Sequence, residues 1–193
     1  MKDHSLSTCV RLCLPEWVDE LLPELSRISY SSDEDKMRLA VDLSRKNVEA
    51  STGGPFGAAI FDSATGTVVS VGVNRVVPLN NSTAHAEMMA FMLAQYRLQR
   101  FRLDTGEHDF LMATSAQPCA MCYGACAWAG IHRLIIGARR MDVESLTEFD
   151  EGPMPDDWIA KLLNRGIRVT RDVLRQDACE VLALYKNKKG THY

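Results

Sequence analysis

Apolar and polar residues change their period several times along the chain, and each change marks an element. Before residue 15 there is no clear period. Pro15 suits the opening of a helix through EWVDELLPEL, which Pro23 should kink or end. Ser31, Ser32 and Asp33 have capping side chains, and Met37, Leu39, Ala40, Leu43 and Val48 then share a helical face. TGGPFG reads as a loop, followed by two β-rich runs, AAIFD and TVVSVGV, joined hairpin-fashion by SATG. Asn80, Asn81, Ser82 and Thr83 are loop and cap types, and the apolar positions after His85 fit a helix to about Arg100. FLMATS reads as a buried strand, CAMCYGACAWAG as a helix and HRLIIGA as another strand. Residues 141–157 are acidic and contain Pro and Gly. DDWIAKLLNRG predicts a short helix, IRVT an edge strand and VLRQDACEVLALYKNK a final helix. Helices alternating with strands imply a layered α/β domain with at least part of its sheet parallel.

Composition narrows the setting. A chain of 193 residues fits one domain with short extensions. Such a chain buries about 70% of its unfolded surface and needs no disulfide staples. The net charge of −3 argues against a nucleic-acid partner, and KNKK near the C-terminus reads as a solvated helix end. No apolar run approaches the roughly 18 residues of a membrane span, and the N-terminus lacks a signal-peptide core. A cytoplasmic protein is expected, with its six cysteines reduced and available for metal or catalysis.

Two motifs carry the chemistry, AHAEM at 84–88 and QPCAMCY at 117–123. Cys119 and Cys122 are three apart, so on a helix both sulfurs reach one ion. His85 and Glu87 are two apart and share a site only where the chain enters a helix. Two helix N-termini would then converge on the metal, favouring thiolate over thiol. One His and two Cys leave a zinc ion an open fourth position, as catalytic sites require. The order H-x-E…P-C-x-x-C is the signature of zinc deaminases, in which the Glu is the proton carrier and not a ligand. Zinc lowers the pKa of a bound water to about 7, and a carboxylate nearby can accept the proton. Cys126 extends the row, but a fourth ligand would close the site and leave Glu87 without a role, so it reads as a buried thiol. Cys9 and Cys13 have no partner for a second metal, Cys179 sits among core positions, and His4, His108, His132 and His192 show no ligand pattern.

With these motifs in place, the chain resembles the cytidine-deaminase-like superfamily, and within it the guanine deaminase branch. The resemblance runs from about Ala40 to the C-terminus, on GGPFGAAI, NRVV, TAHAEM, TSAQPCAMCYGA and EFDEGP. It implies a three-layer α/β/α sandwich around a five-stranded mixed sheet. It further implies a homodimer whose C-terminal segments can exchange and close the partner's site. Residues 31–193 would form the deaminase domain, and residues 1–30 an extension packed as a helix. By the resemblance, His85, Cys119 and Cys122 hold one Zn2+, Glu87 shuttles protons, and Asn74 binds the ring carbonyl of the substrate. Phe56 and Phe149 would lie against the planar ring, and Glu151 would deliver a proton to the leaving amine. Without the resemblance, the acids at 144–157 are an ordinary solvated loop, with Asp150 competing with Glu151. The family usually has Glu where this chain has Gln117, which removes a charge beside the metal. Tyr193 could lie over the site.

The expected reaction is hydrolytic deamination of a free nucleobase, guanine to xanthine and ammonia. Ammeline, cytosine or a nucleoside are alternatives that the motif does not separate. A tRNA adenosine deaminase shares the motif but needs phosphate contacts, which the acidic balance disfavours. A zinc-stabilised binding module would have no use for Glu87.

Overall fold

The computed structural model describes residues 6–105 and 107–193. His4 lies outside them, as does the start of the N-terminal extension. In chain order the elements are α1 (Glu16–Leu25), α2 (Asp33–Glu49), β1 (Gly57–Asp62), β2 (Val68–Val73), α3 (Val76–Leu79), α4 (Ala86–Leu98), β3 (Phe110–Ala116) and α5 (Ala120–Ala129). They continue with β4 (Arg133–Ala138), α6 (Arg140–Thr147), α7 (Trp158–Leu163), β5 (Arg168–Thr170) and α8 (Arg175–Asn187). The strands form one open sheet in the order β2-β1-β3-β4-β5. β1 is antiparallel to β2 and β3, while β3, β4 and β5 are parallel. Parallel neighbours require crossovers, and α5 and the α6–α7 pair supply them.

Side chains alternate across a strand, so each strand feeds two cores. Ala59 and Phe61 of β1 join Met37, Leu43, Val181 and Leu182 from α2 and α8. Ala58 and Ile60 join Ala90 and Phe91 of α4 and Cys126 of α5 on the opposite face. Every residue of β1, β2 and β3 is buried, as a sheet covered on both faces requires. This is the expected three-layer α/β/α sandwich with a five-stranded mixed sheet. No helix among the described residues is long and apolar enough to cross a membrane.

Three features differ from or refine the sequence reading. The acidic stretch opens with α6, because its charges are paired locally and across the fold. Asp142 accepts the Arg139 backbone N–H at 2.7 Å and a double hydrogen bond from Arg175 at 2.7 and 2.6 Å. The KNKK run is not wholly solvated, since Lys188 donates at 3.1 Å to both Val48 and Glu49 carbonyls at the end of α2. A cation there satisfies carbonyls that a helix C-terminus leaves free. In the extension, α1 continues two residues past Pro23 and buries Val18 and Leu25 in the core shared with α2.

The start of α4 lies directly on β2. A Cβ added at Gly72 would sit 2.1 Å from the Ala86 carbonyl oxygen and 2.6 Å from the Ala90 nitrogen. Only glycine permits this approach, which places His85 and Glu87 beside the sheet. Gly72→Ala should therefore destabilise the protein by about 1–3 kcal/mol, the usual range for overpacking. Denaturant unfolding checks this, with the loss appearing as a lowered midpoint at unchanged slope.

Candidate zinc centre and active site

The centre is built from two helix starts. His85 is the N-cap residue of α4 and Cys119 the N-cap of α5, and neither side chain makes a capping hydrogen bond. Both are thus free to turn toward a common point, with Cys122 one turn into α5. The potential ligand atoms of His85, Cys119 and Cys122 lie within 4.8 Å of one another. His85 Nδ1 and Cys119 Sγ are 3.6 Å apart. Tetrahedral zinc with ordinary Zn–N and Zn–S bonds separates its ligands by roughly 3.5–3.8 Å, so the spacing and the N,S,S donor set both fit zinc.

Electrostatics point the same way. Cys119 is held down at about 4, first by a hydrogen bond from Cys122 and then, against burial, by His85. The same shared proton pushes Cys122 upward. Without metal the pair therefore carries one thiolate, and a divalent ion would displace the second proton. Burial pushes His85 down but is outweighed by its hydrogen bond to Cys119 and the charges of Glu87, Cys119 and Glu151, so its net shift is upward. Glu87, in the first turn of α4, is raised by burial and then by Cys119. Glu151 is pushed up to about 8, chiefly by burial and then by Cys119 and Glu87.

A cavity of about 180 Å³ opens over this cluster. Glu87, Gln117 and Glu151 line it, with Phe56, Phe149 and Tyr193 as aromatic walls. The Phe149 ring centre lies 5.5 Å from Phe56 and 4.7 Å from Tyr193. Asn74 is fully buried and does not itself line the cavity. Its Oδ1 accepts the Val76 N–H at 3.2 Å and the Gly54 N–H at 3.4 Å, while its Nδ2 has no partner among the described residues. Gly54 is required beside it, because an added Cβ would lie 2.3 Å from the Tyr193 hydroxyl and 3.1 Å from Asn74 Oδ1. Tyr193 therefore reaches over its own chain's cavity with the hydroxyl inward, although 40% of the residue remains exposed at the terminus. Asp150 also borders the cavity, but it is exposed and its Oδ1 accepts the Gly152 N–H at 2.8 Å in a local turn. Glu151 is buried.

Residues 30–138, more than half of the chain, match the family described as the cytidine and deoxycytidylate deaminase zinc-binding region. The chain belongs to this deaminase family. Guanine deaminase of Bacillus subtilis is 38% identical over 106 residues, which cover 55% of this chain and 64% of that relative. The chain thus spans just under two thirds of that curated relative. The solved guanine deaminase of Nitrosomonas europaea is 38% identical with a TM-score of 0.86, over 95% of this chain and 99% of that one. A structure solved in complex with 2,6-diaminopurine is 39% identical with a TM-score of 0.87, over 96% of both chains.

Zinc is the cofactor of this deaminase, and His85, Cys119 and Cys122 are the residues that fit it. Cys126 points into the core on the α4 side of the sheet. Gln117 Oε1 accepts the Arg140 N–H at 3.4 Å, a contact a carboxylate would make equally well. Cys9 and Cys13 are exposed, while His108 and His132 face Asp62 and Asp109. Two lining residues, Val76 and Ser82, were not singled out by the sequence. Val76 reads as one apolar residue among many, and Ser82 as a loop residue before a cap. Only the proximity of Asn74 and His85 distinguished them.

Burial of Glu151 has a consequence for stability in the zinc-free protein. Its carboxyl binds a proton more tightly folded, at about 8, than at its ordinary 4.5. The contribution is therefore fully present below 4.5 and is lost as pH rises through about 8. The melting temperature of metal-stripped protein should fall across that window, and Glu151→Gln should flatten the fall. An equal slope in both proteins would show that Glu151 does not titrate as described.

Proposed function

We propose that this deaminase converts guanine to xanthine and ammonia, with Glu87 and Glu151 as its two proton carriers. The observation that carries the reading is a pair of buried carboxylates facing one His–Cys–Cys cluster within an aromatic-walled cavity. The solved relatives, a guanine deaminase and a diaminopurine complex, support a purine as the ring. Zinc, when bound, polarises a water and brings its pKa toward about 7. Glu87 accepts a proton from that water and passes it to the ring nitrogen next to C2. The water oxygen bonds to C2. Its remaining proton travels through Glu151 to the amine, the C2–N bond breaks, and ammonia leaves as the new C2–O bond becomes a carbonyl. Burial keeps Glu151 protonated at neutral pH in the metal-free protein, which equips it to donate.

Phe56 and Phe149 form an adjoining apolar wall of the cavity against which the planar ring packs. Asn74 Nδ2 donates to the ring carbonyl, its orientation fixed because Oδ1 is already engaged by two backbone N–H groups. Tyr193 shields the cavity from water. Tyr193 lines its own chain's cavity, and exchange of tails in a dimer would set the same residue over the partner's.

The functional unit proposed is a homodimer joined through the outer faces of α4 and α5. There a groove lined by Met88, Met92, Phe101 and Trp128 leaves Phe101 81% and Trp128 77% exposed. Exposed apolar surface of this kind marks an association site, and the two helices carry the zinc ligands at their starts. All six cysteines are free, consistent with work in the reducing cytoplasm.

Glu87→Ala should retain zinc, measured by metal analysis, while ammonia release from guanine falls by about 10²–10⁴-fold. Near-normal turnover would remove Glu87 from the mechanism. Trp128→Glu should shift the protein from dimer to monomer in sedimentation. A dimer that persists unchanged would move the interface elsewhere.

A further inference from the structure

The N-terminal extension reaches toward the proposed substrate-reading residue through an unbroken line of hydrogen bonds. Trp17 of α1 donates its indole N–H to Thr52 Oγ1 at 3.0 Å. Thr52 donates in turn to Asn47 Oδ1 at 2.8 Å. Asn47 lies fully buried on α2, and with its Oδ1 engaged its amide orientation is set. Its two Nδ2 hydrogens then go to different segments, the Gly54 carbonyl at 2.8 Å and the Asn74 carbonyl at 2.9 Å. One amide nitrogen thus ties the loop before β1 to the end of β2. Gly54 closes the circuit by donating its N–H to Asn74 Oδ1.

The packing leaves little room for other arrangements. A Cβ on Gly53 would lie 1.9 Å from the Asn74 carbonyl oxygen and 2.6 Å from Asn47 Nδ2. The Arg75 guanidinium donates to the Thr52 carbonyl from the other side. Lys46 lies 5.1 Å from the Trp17 ring centre, holding the indole on α2. At the end of the line, Asn74 Nδ2 is buried without a hydrogen-bond partner among the described residues. An unpaired buried donor is costly unless a ligand completes it.

We infer that Trp17, Thr52 and Asn47 are positioning residues through which helix α1 sets the Asn74 amide for ring recognition. The inference rests on the proposed role of Asn74 in binding the ring carbonyl. Asn47 ties the backbones of Gly54 and Asn74 together, Thr52 anchors the Asn47 Oδ1 on the other side of that amide, and Trp17 donates to the Thr52 hydroxyl and so orients it. The extension thereby contributes to substrate affinity although none of its described residues lines the cavity.

The test uses zinc-loaded full-length protein carrying Thr52→Val, Thr52→Ser or Trp17→Phe, with Asn74→Ala as the reference. The side-chain amide signals of Asn74, assigned by their disappearance in Asn74→Ala, report its setting without any substrate. Thr52→Val should shift or broaden this pair, and Thr52→Ser should restore it. On guanine, Thr52→Val should raise KM roughly tenfold with kcat little changed, the pattern of lost uniform binding. The increment should vanish in the Asn74→Ala background. If Thr52→Val does not fold, Trp17→Phe decides, because it keeps an aromatic ring at this position and removes the N–H donor. An unmoved Asn74 pair in the folded variants would overturn the inference, as would a KM increment that persists without Asn74. A moved pair in a protein inactive on guanine would leave the positioning standing and overturn the substrate reading.

Discussion

A helix start needs hydrogen-bond acceptors for its first N–H groups, and side chains at the N-cap usually supply them. In this protein the N-caps of α4 and α5 are His85 and Cys119, which make no such bond and turn to a shared point instead. That displacement from capping to ligation is what the rest of the molecule must hold in place. Gly72 lets α4 rest on β2, and the β3-α5-β4 crossover fixes the direction from which α5 approaches. The positive ends of both helices then face the zinc site, where they favour the thiolates that the ion needs.

Around that centre, burial assigns the remaining chemistry. Two carboxylates, from α4 and from the segment after α6, are drawn out of water beside the same cysteine pair. Both are raised, so the site resists holding several negative charges without its metal. A divalent ion relieves this crowding, which couples metal binding to the state of the proton carriers. The aromatic walls formed by Phe56, Phe149 and Tyr193 come from three distant parts of the chain, so the cavity exists only in the folded protein.

The core and the His–Cys–Cys cluster were legible in the sequence for a plain reason. The short apolar runs AAIFD and FLMATS, and the spacing of His85, Glu87, Cys119 and Cys122, are local signals that the backbone geometry of strands and helix starts translates directly. What was not legible depends on partners far apart. Helix α6 was hidden because its acids look solvated until Arg175 is brought beside Asp142. Lys188 looked like a free charge until the tail met the end of α2. Asn47 looked like one polar position on an amphipathic helix. Its two-segment clasp on Gly54 and Asn74 is a tertiary property with no local pattern. The difference between Glu151, which is buried, and Asp150, which accepts in a local turn, is likewise a tertiary property.

Since pocket shape, not the zinc motif, selects the ring, the central claim is tested most directly by substrate choice. Ammonia release by purified, zinc-loaded protein should be compared across guanine, ammeline, cytosine, adenine and their nucleosides. The account predicts fast release from guanine, with xanthine as the product. Release from a different ring, with guanine untouched, would contradict the substrate assignment while keeping the zinc–Glu87 chemistry. Silence across the whole panel would contradict both.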